Sequence, residues 1–251
     1  MKKIVKRDKE QVFDSFVDKF LEPLDYSNTQ NNQKILEICH VGKFLFLHDK
    51  DYIIHEVSEK PDFILSGQNN LVGLEHQTVV DKKSREREGF FQNIFQNAEL
   101  ELQKDNNLPN FLANCHLLPY INFKLNEKKK LIDIVVNTVR QYVLTEVLIE
   151  NPIIESIYSM NHSQISLSVN LGAWWQKDIT QEIIQKAIDK KDKLLFTYKS
   201  ESIAEQWLLL VIGSTGESSY RIDRLENLYI ESLFDRVYIM EDLYSNLYQI
   251  K

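Results

Sequence analysis

Two runs of strand-like sequence, Lys60-Pro-Asp-Phe-Ile-Leu and Leu71-Val-Gly-Leu-Glu-His-Gln-Thr-Val-Val, are separated only by the polar stretch from Ser66 to Asn70. Gly67 and the Gln68-Asn69-Asn70 run supply turn chemistry, so the pattern predicts a β-hairpin. A hairpin decides which side chains share a face. Alternation places Asp62 with Ile64 on one side, sets Glu75 and Gln77 together, and turns His76 the opposite way. The same pairing lifts Asp62 and Glu75 towards one another. Two converging carboxylates are the minimum equipment for holding a hard divalent cation such as Mg2+ or Mn2+.

The flanking sequence predicts alternating helices and strands. Phe13, Phe16, Val17 and Phe20 recur at helical steps within Asp8 to Leu21, and Pro23 closes that helix. Lys34 to Leu47 reads as a second helix, or a helix running into a strand, with Glu37 near the edge of its apolar face. Tyr52 to Val57 is a short strand. After the hairpin, Ser84 can cap a helix reaching about Gln103, buried through Phe91, Ile94, Phe95, Ala98 and Leu102. Cys115 to Leu125 reads as a strand interrupted near Pro119, and Lys128 to Ile149 as a long helix ended by Pro152. Ile153 to Tyr158 and Ile165 to Leu171 alternate like two strands joined by a polar turn. A helix from Ile179 to Asp192, an apolar strand from Trp207 to Ile212 and a last strand from Arg236 to Met240 complete the pattern. With no repeat, low-complexity tract or Gly/Ser linker, residues 1–251 read as a single α/β domain.

Charge narrows the function classes. Thirty Lys and Arg against 37 Asp and Glu give −7, which argues against coating nucleic acid through overall charge and leaves only a local basic groove. Cys39 and Cys115 have neither metal-ligand spacing nor a disulfide framework, so a reducing cytoplasm is the expected compartment and each thiol the expected small core residue. The charged start and the lack of a long apolar run predict a soluble protein without a membrane partner.

Helix, strand, the Pro61-Asp62 hairpin, a strand carrying Glu75-x-Gln77, then a helix and another strand resembles the core of the PD-(D/E)xK nuclease superfamily, over about residues 34–125. The resemblance implies a restriction-endonuclease-like fold: a central mixed sheet flanked by helices, here with a C-terminal α/β extension. It places Asp62 at the metal-binding aspartate, Glu75 at the second acidic ligand and Glu37 at the additional acid some members contribute. Gln77 stands where the family usually has lysine. A lysine there helps position the attacking water and stabilise developing charge, whereas glutamine offers neutral hydrogen bonds. The implied function is Mg2+- or Mn2+-dependent phosphodiester hydrolysis, with catalytic Asp62, Glu75 and Gln77, on DNA ahead of RNA. A homodimer suits cutting of both strands. The departure at Gln77 keeps an alternative open, a degenerate nuclease-like fold acting as a nucleic-acid-binding or protein-assembly module.

Cationic residues extend the picture. Lys82, Lys83, Arg85 and Arg87 follow the Glu75 strand as candidate phosphate contacts, with Glu86 and Glu88 interleaved, and a solvated helix start explains them equally well. Lys186, Lys190, Lys191 and Lys193 lie on a later helix, and one of them is a candidate source of the charge that Gln77 lacks. His76, on the other strand face, reads as core packing or a local hydrogen bond. His40, His48 and His55 lack the spacing of a zinc site. Trp174-Trp175 and the tyrosines Tyr220, Tyr229, Tyr238, Tyr244 and Tyr248 read first as buried anchors and second as stacking surfaces.

Overall fold

The computed structural model describes residues 6–26, 28, 31–48, 52–68, 70–118, 125–171, 175–197, 202–223 and 228–251. The chain divides into two compact units, one formed by residues 1–80, 177–215 and 219–251, the other by residues 81–176 and 216–218. No helix among the described residues is long and apolar enough to cross a membrane.

The first unit contains the helices α1 (Lys6–Leu21) and α2 (Asn32–His48) and the strands β1 (Ile53–Val57), β2 (Phe63–Ser66) and β3 (Leu71–Thr78). The second unit supplies the next elements in the chain: α3 (Lys82–Leu102), β4 (Phe111–Leu117), α4 (Lys128–Thr145), β5 (Ile154–Asn161) and β6 (Ser166–Asn170). The chain then returns to the first unit for β7 (Lys177–Asp178), α5 (Gln181–Leu195), β8 (Ile203–Ile212), β9 (Tyr220–Arg221), β10 (Arg236–Glu241) and β11 (Asn246–Gln249).

The first unit is built on a six-stranded mixed sheet in the order β1-β2-β3-β8-β10-β11. The hairpin partners β1, β2 and β3 are antiparallel, whereas β3, β8 and β10 run parallel. Alternation along β8 gives each face its own core. Trp207, Leu209 and Val211 pack with Ile38, Val41, Phe44 and Leu45 of α2 and with Val17 of α1. Leu208, Leu210 and Ile212 pack with Ile184, Ala187, Ile188 and Leu195 of α5. A strand buried on both sides reads as a continuous apolar run, which is how Trp207 to Ile212 reads. Trp207 is fully buried beside Phe44 and Tyr238, and its indole donates to Glu205 Oε2 at 2.6 Å. Its large apolar body and satisfied N–H make it the centre of the α2-side core.

In the second unit β5-β4-β6 form a three-stranded sheet covered on one face by α3 and α4. Phe111, Ala113, Cys115 and Leu117 point to that side and are buried, following the period of two. Burial alone pushes the Cys115 thiol up to about 12, while Cys39 is a half-buried free thiol.

Several boundaries differ from the pattern reading. Asp81, not Ser84, caps α3: its Oδ1 accepts from the Ser84 N–H at 2.9 Å. The helix expected to reach Ile149 ends at Thr145, where Glu146 takes a left-handed φ of 57° and closes the last turn by donating to the Tyr142 carbonyl. The expected strand pair at 153–171 is not a hairpin, because β5 and β6 each pair with β4 from opposite sides. The break expected near Pro119 lies outside the described residues. β11 follows β10 through a turn with Ser245 at φ 56°, so Arg236 to Met240 is not the last strand. No C-terminal extension stands apart: β8 and β10 lie inside the central sheet. The segment 34–125 is likewise shared between the units, with β1 to β3 in one and α3 and β4 in the other. Local periodicity finds strands and leaves their partners undetermined, because pairing is set by burial of faces far apart in sequence.

Candidate functional site

The β2–β3 register pairs Phe63 with Leu74, and one further step sets Asp62 opposite Glu75. The two residues are tied by backbone as well as by side chain. The Asp62 N–H donates to Glu75 Oε1 at 3.2 Å, and the His76 N–H donates to Asp62 Oδ2 at 2.9 Å. Gly73 permits this close packing, since a Cβ there would collide with Gln206 and stand 2.9 Å from Pro61 Cγ. Glu75 is buried at 1% side-chain exposure, whereas Asp62 keeps 27%. One carboxylate is thus sealed and its partner reaches solvent.

A buried carboxylate without a counter-charge would be costly. Lys191 of α5 provides the charge: its Nζ lies 2.5 Å from Glu75 Oε2 and 3.4 Å from Asp62 Oδ2. Its placement follows from helix periodicity. Ile184, Ala187, Ile188 and Leu195 form the buried stripe of α5, and Lys191 falls on that stripe while Lys186, Lys190 and Lys193 are exposed. Burial raises the Glu75 pKa, the Lys191 hydrogen bond pulls it back and the Asp62 charge pushes it up, for a net upward shift. For Lys191 burial acts downward, but the Glu75 hydrogen bond and both carboxylate charges outweigh it and hold the ammonium protonated above its ordinary range.

The opposite face of β3 holds a pair of histidines. His76 Nε2 meets His40 Nδ1 of α2 at 3.0 Å, and the two rings stack with centroids 5.2 Å apart. His40 Nε2 lies 3.9 Å from Asp242 Oδ2, whose other oxygen takes Lys43 Nζ at 3.0 Å. Burial, reinforced by the charges of His40, Lys191 and Lys34, lowers the His76 pKa to about 3, and burial also lowers that of His40. His76 is therefore a hydrogen-bonded core residue, and its backbone N–H is the part that reaches the carboxylate pair.

The remaining candidates separate. Gln77 shares the strand face of Glu75, and its Oε1 is buried without a hydrogen-bond partner. Glu37 belongs to α2, on the far side of the sheet from α5, and accepts from Gln33 Nε2 at 2.9 Å. Among the described residues no group of three or more His, Cys, Asp or Glu is placed to hold a metal ion, so Asp62 and Glu75 stand as a pair that Glu37 does not join. Lys82, Lys83, Arg85 and Arg87 all belong to the second unit. Lys82, Lys83 and Arg85 are exposed at the start of α3. Arg87 is committed internally, bonding Glu217 Oε2 at 2.6 Å and the Leu171 carbonyl at 3.3 Å. Arg85 leans on Glu88, which is buried and accepts from the Ser218 N–H and hydroxyl at 2.8 and 2.7 Å. Trp174 lies outside the described residues, Trp175 is exposed, Tyr220 and Tyr238 are core residues, and Tyr229 and Tyr244 face solvent.

Asp62 and Glu75 offer carboxylate oxygens, the donor type a hard divalent cation takes, and Gln77 Oε1 on the same strand face is buried without a hydrogen-bond partner. Asp62 and Glu75 were readable from the hairpin. The signal that sets Lys191 apart from its neighbours is its position on the apolar stripe of α5, which turns it towards the sheet. No family model, curated protein or solved structure matches this chain.

Proposed function

We propose that the first unit is a divalent-metal-dependent phosphodiester hydrolase resembling the PD-(D/E)xK nucleases, acting on DNA ahead of RNA. The observation that carries this reading is the convergence of Asp62, Glu75 and the Lys191 ammonium on one face of a mixed sheet. Asp62 and Glu75 hold the cation, and Gln77 offers a neutral oxygen to the cation or to the attacking water. Lys191 supplies the positive charge missing at position 77, reaching the carboxylates from α5 instead of from β3. When bound, Mg2+ or Mn2+ polarises a phosphoryl oxygen and lowers the pKa of a water ligand. The protein's own part is to orient the two carboxylates through the Asp62 and His76 amides and to keep an ammonium beside the developing charge.

The test is cleavage of labelled single- and double-stranded DNA and RNA with Mg2+ or Mn2+, comparing wild type with Asp62→Ala. The expected loss is on the order of 10²–10³-fold, the scale of removing a group that stabilises developing charge. Equal cleavage by the variant would reject the assignment. A second reading, a degenerate module that binds nucleic acid or another protein, is favoured by one feature: Lys191 already neutralises the buried acid, so the triad is complete as a structural ion pair. Folded wild-type protein that neither binds Mn2+ nor cleaves any of the four substrates would select it.

A further inference from the structure

We propose that Lys191 is an exchangeable counter-ion, whose ammonium occupies the place between Asp62 and Glu75 that a divalent cation takes, so that metal binding requires its withdrawal and Lys191 sets the affinity of the site. This rests on the hydrolase reading for the identity of the site and goes beyond it in naming what controls occupancy.

The argument is one of charge and space. Lys191 Nζ sits 2.5 Å from one carboxylate and 3.4 Å from the other, using the oxygens that a cation would coordinate. An ammonium and a divalent ion cannot share those oxygens without close like-charge repulsion in a half-buried site. The two carboxylates carry two negative charges and the ammonium offsets one, which leaves the site short of positive charge. A divalent ion would complete the balance. Lys191 is held by its charge more than by a fixed geometry, since a lysine is a point charge on a flexible four-carbon stem. Its side chain retains 14% exposure, so it is not sealed from solvent. After withdrawal, oxygens of Asp62 and Glu75 remain, with the unpartnered Gln77 Oε1 on the same strand face. The stem of Lys191 stays anchored on the α5 stripe, which keeps the displaced charge near the phosphate that the site is proposed to attack.

Calorimetric titration of manganese chloride into wild type, Lys191→Met and Lys191→Arg, at one pH and ionic strength, tests this. Removing the competing charge should tighten Mn2+ binding by about tenfold or more in Lys191→Met, whereas Lys191→Arg should stay within about threefold of wild type. Unchanged or weaker binding in folded Lys191→Met overturns the exchange. Should that variant not fold, the wild-type protein still decides. Mn2+ should speed reductive methylation of Lys191 several-fold, read by mass spectrometry against the exposed Lys190, and an unchanged or slower rate overturns the proposal. The two readings fail separately. Asp62→Ala without cleavage, together with no tightening in Lys191→Met, removes the exchange and keeps the hydrolase. Tightened Mn2+ binding with no cleavage of any nucleic acid keeps the exchange and removes the hydrolase.

Discussion

Glu75 and His76 are consecutive on β3, both buried, and they point into opposite faces of one sheet. Towards α5 the strand presents a carboxylate, satisfied by an ammonium and by the Asp62 N–H. Towards α2 it presents an imidazole, satisfied by a second imidazole. The first face pairs buried charges, whereas on the second a buried histidine pair is pushed towards its uncharged form, with the Lys43–Asp242 ion pair beyond it. One strand thus carries a buried ion pair on one face and a buried, burial-neutralised imidazole pair on the other, because alternation sends consecutive residues to different layers. The one atom group belonging to both is the His76 amide, which bonds Asp62 while its ring is fixed on the other side.

The charged face carries the largest expected effects. Lys191→Met should destabilise the metal-free protein by about 3–5 kcal/mol near neutral pH, the scale of leaving a buried charge unpaired. The deficit should shrink in acid. Without Lys191, Glu75 loses the hydrogen bond and charge that pull its pKa down, so its folded pKa rises above the wild-type value; the variant's folded state then takes up that proton first and regains stability as pH falls, which urea midpoints between pH 4 and 8 would show. A deficit independent of pH would mean that lost packing, not charge, is responsible.

The histidine face sets the next effect. His76 has its pKa lowered from 6.5 to about 3, so the unfolded chain takes the proton first. The stability this contributes is present above 6.5 and is lost as pH falls towards 3, at up to about 1.4 kcal/mol per pH unit for each such group. His76→Leu should flatten that part of the acid-unfolding profile. An unchanged slope would assign it to other groups.

Smaller changes sharpen the contrast. Gln77→Ala removes an acceptor that bonds nothing, so stability should move by less than about 1 kcal/mol, while cleavage should fall by about tenfold if Gln77 orients water. Lys190→Ala, one residue from Lys191 but exposed, should stay within about 0.5 kcal/mol of wild type and cleave normally. A large effect at Lys190 would blur the distinction between stripe and surface lysines.

The hairpin register, the α3 stripe and the apolar β8 strand were all legible because each is governed by neighbours within a few residues. The exchange of faces between Glu75 and His76 was legible for the same reason: alternation is a property of one strand. The affiliation of Cys115 was not. Its strand reads like any other, yet β4 pairs with β5 and β6, while the place beside β3 is taken by β8, more than a hundred residues later in the chain. Arg87 read as a candidate phosphate contact or a solvated helix-start residue and is tied to Glu217, again a partner far away in sequence.

Sequence-local physics set the local objects: a hairpin with two acids, amphipathic helices with apolar stripes, a cluster of four lysines on one later helix and a net charge of −7. Tertiary structure alone decided which lysine reaches the acids, which histidine lies behind them and that Glu37 stays apart from the carboxylate pair. The physical reason is range. Backbone periodicity is set within one turn or one strand pair, whereas the pairing of buried charges depends on which faces the whole chain packs together.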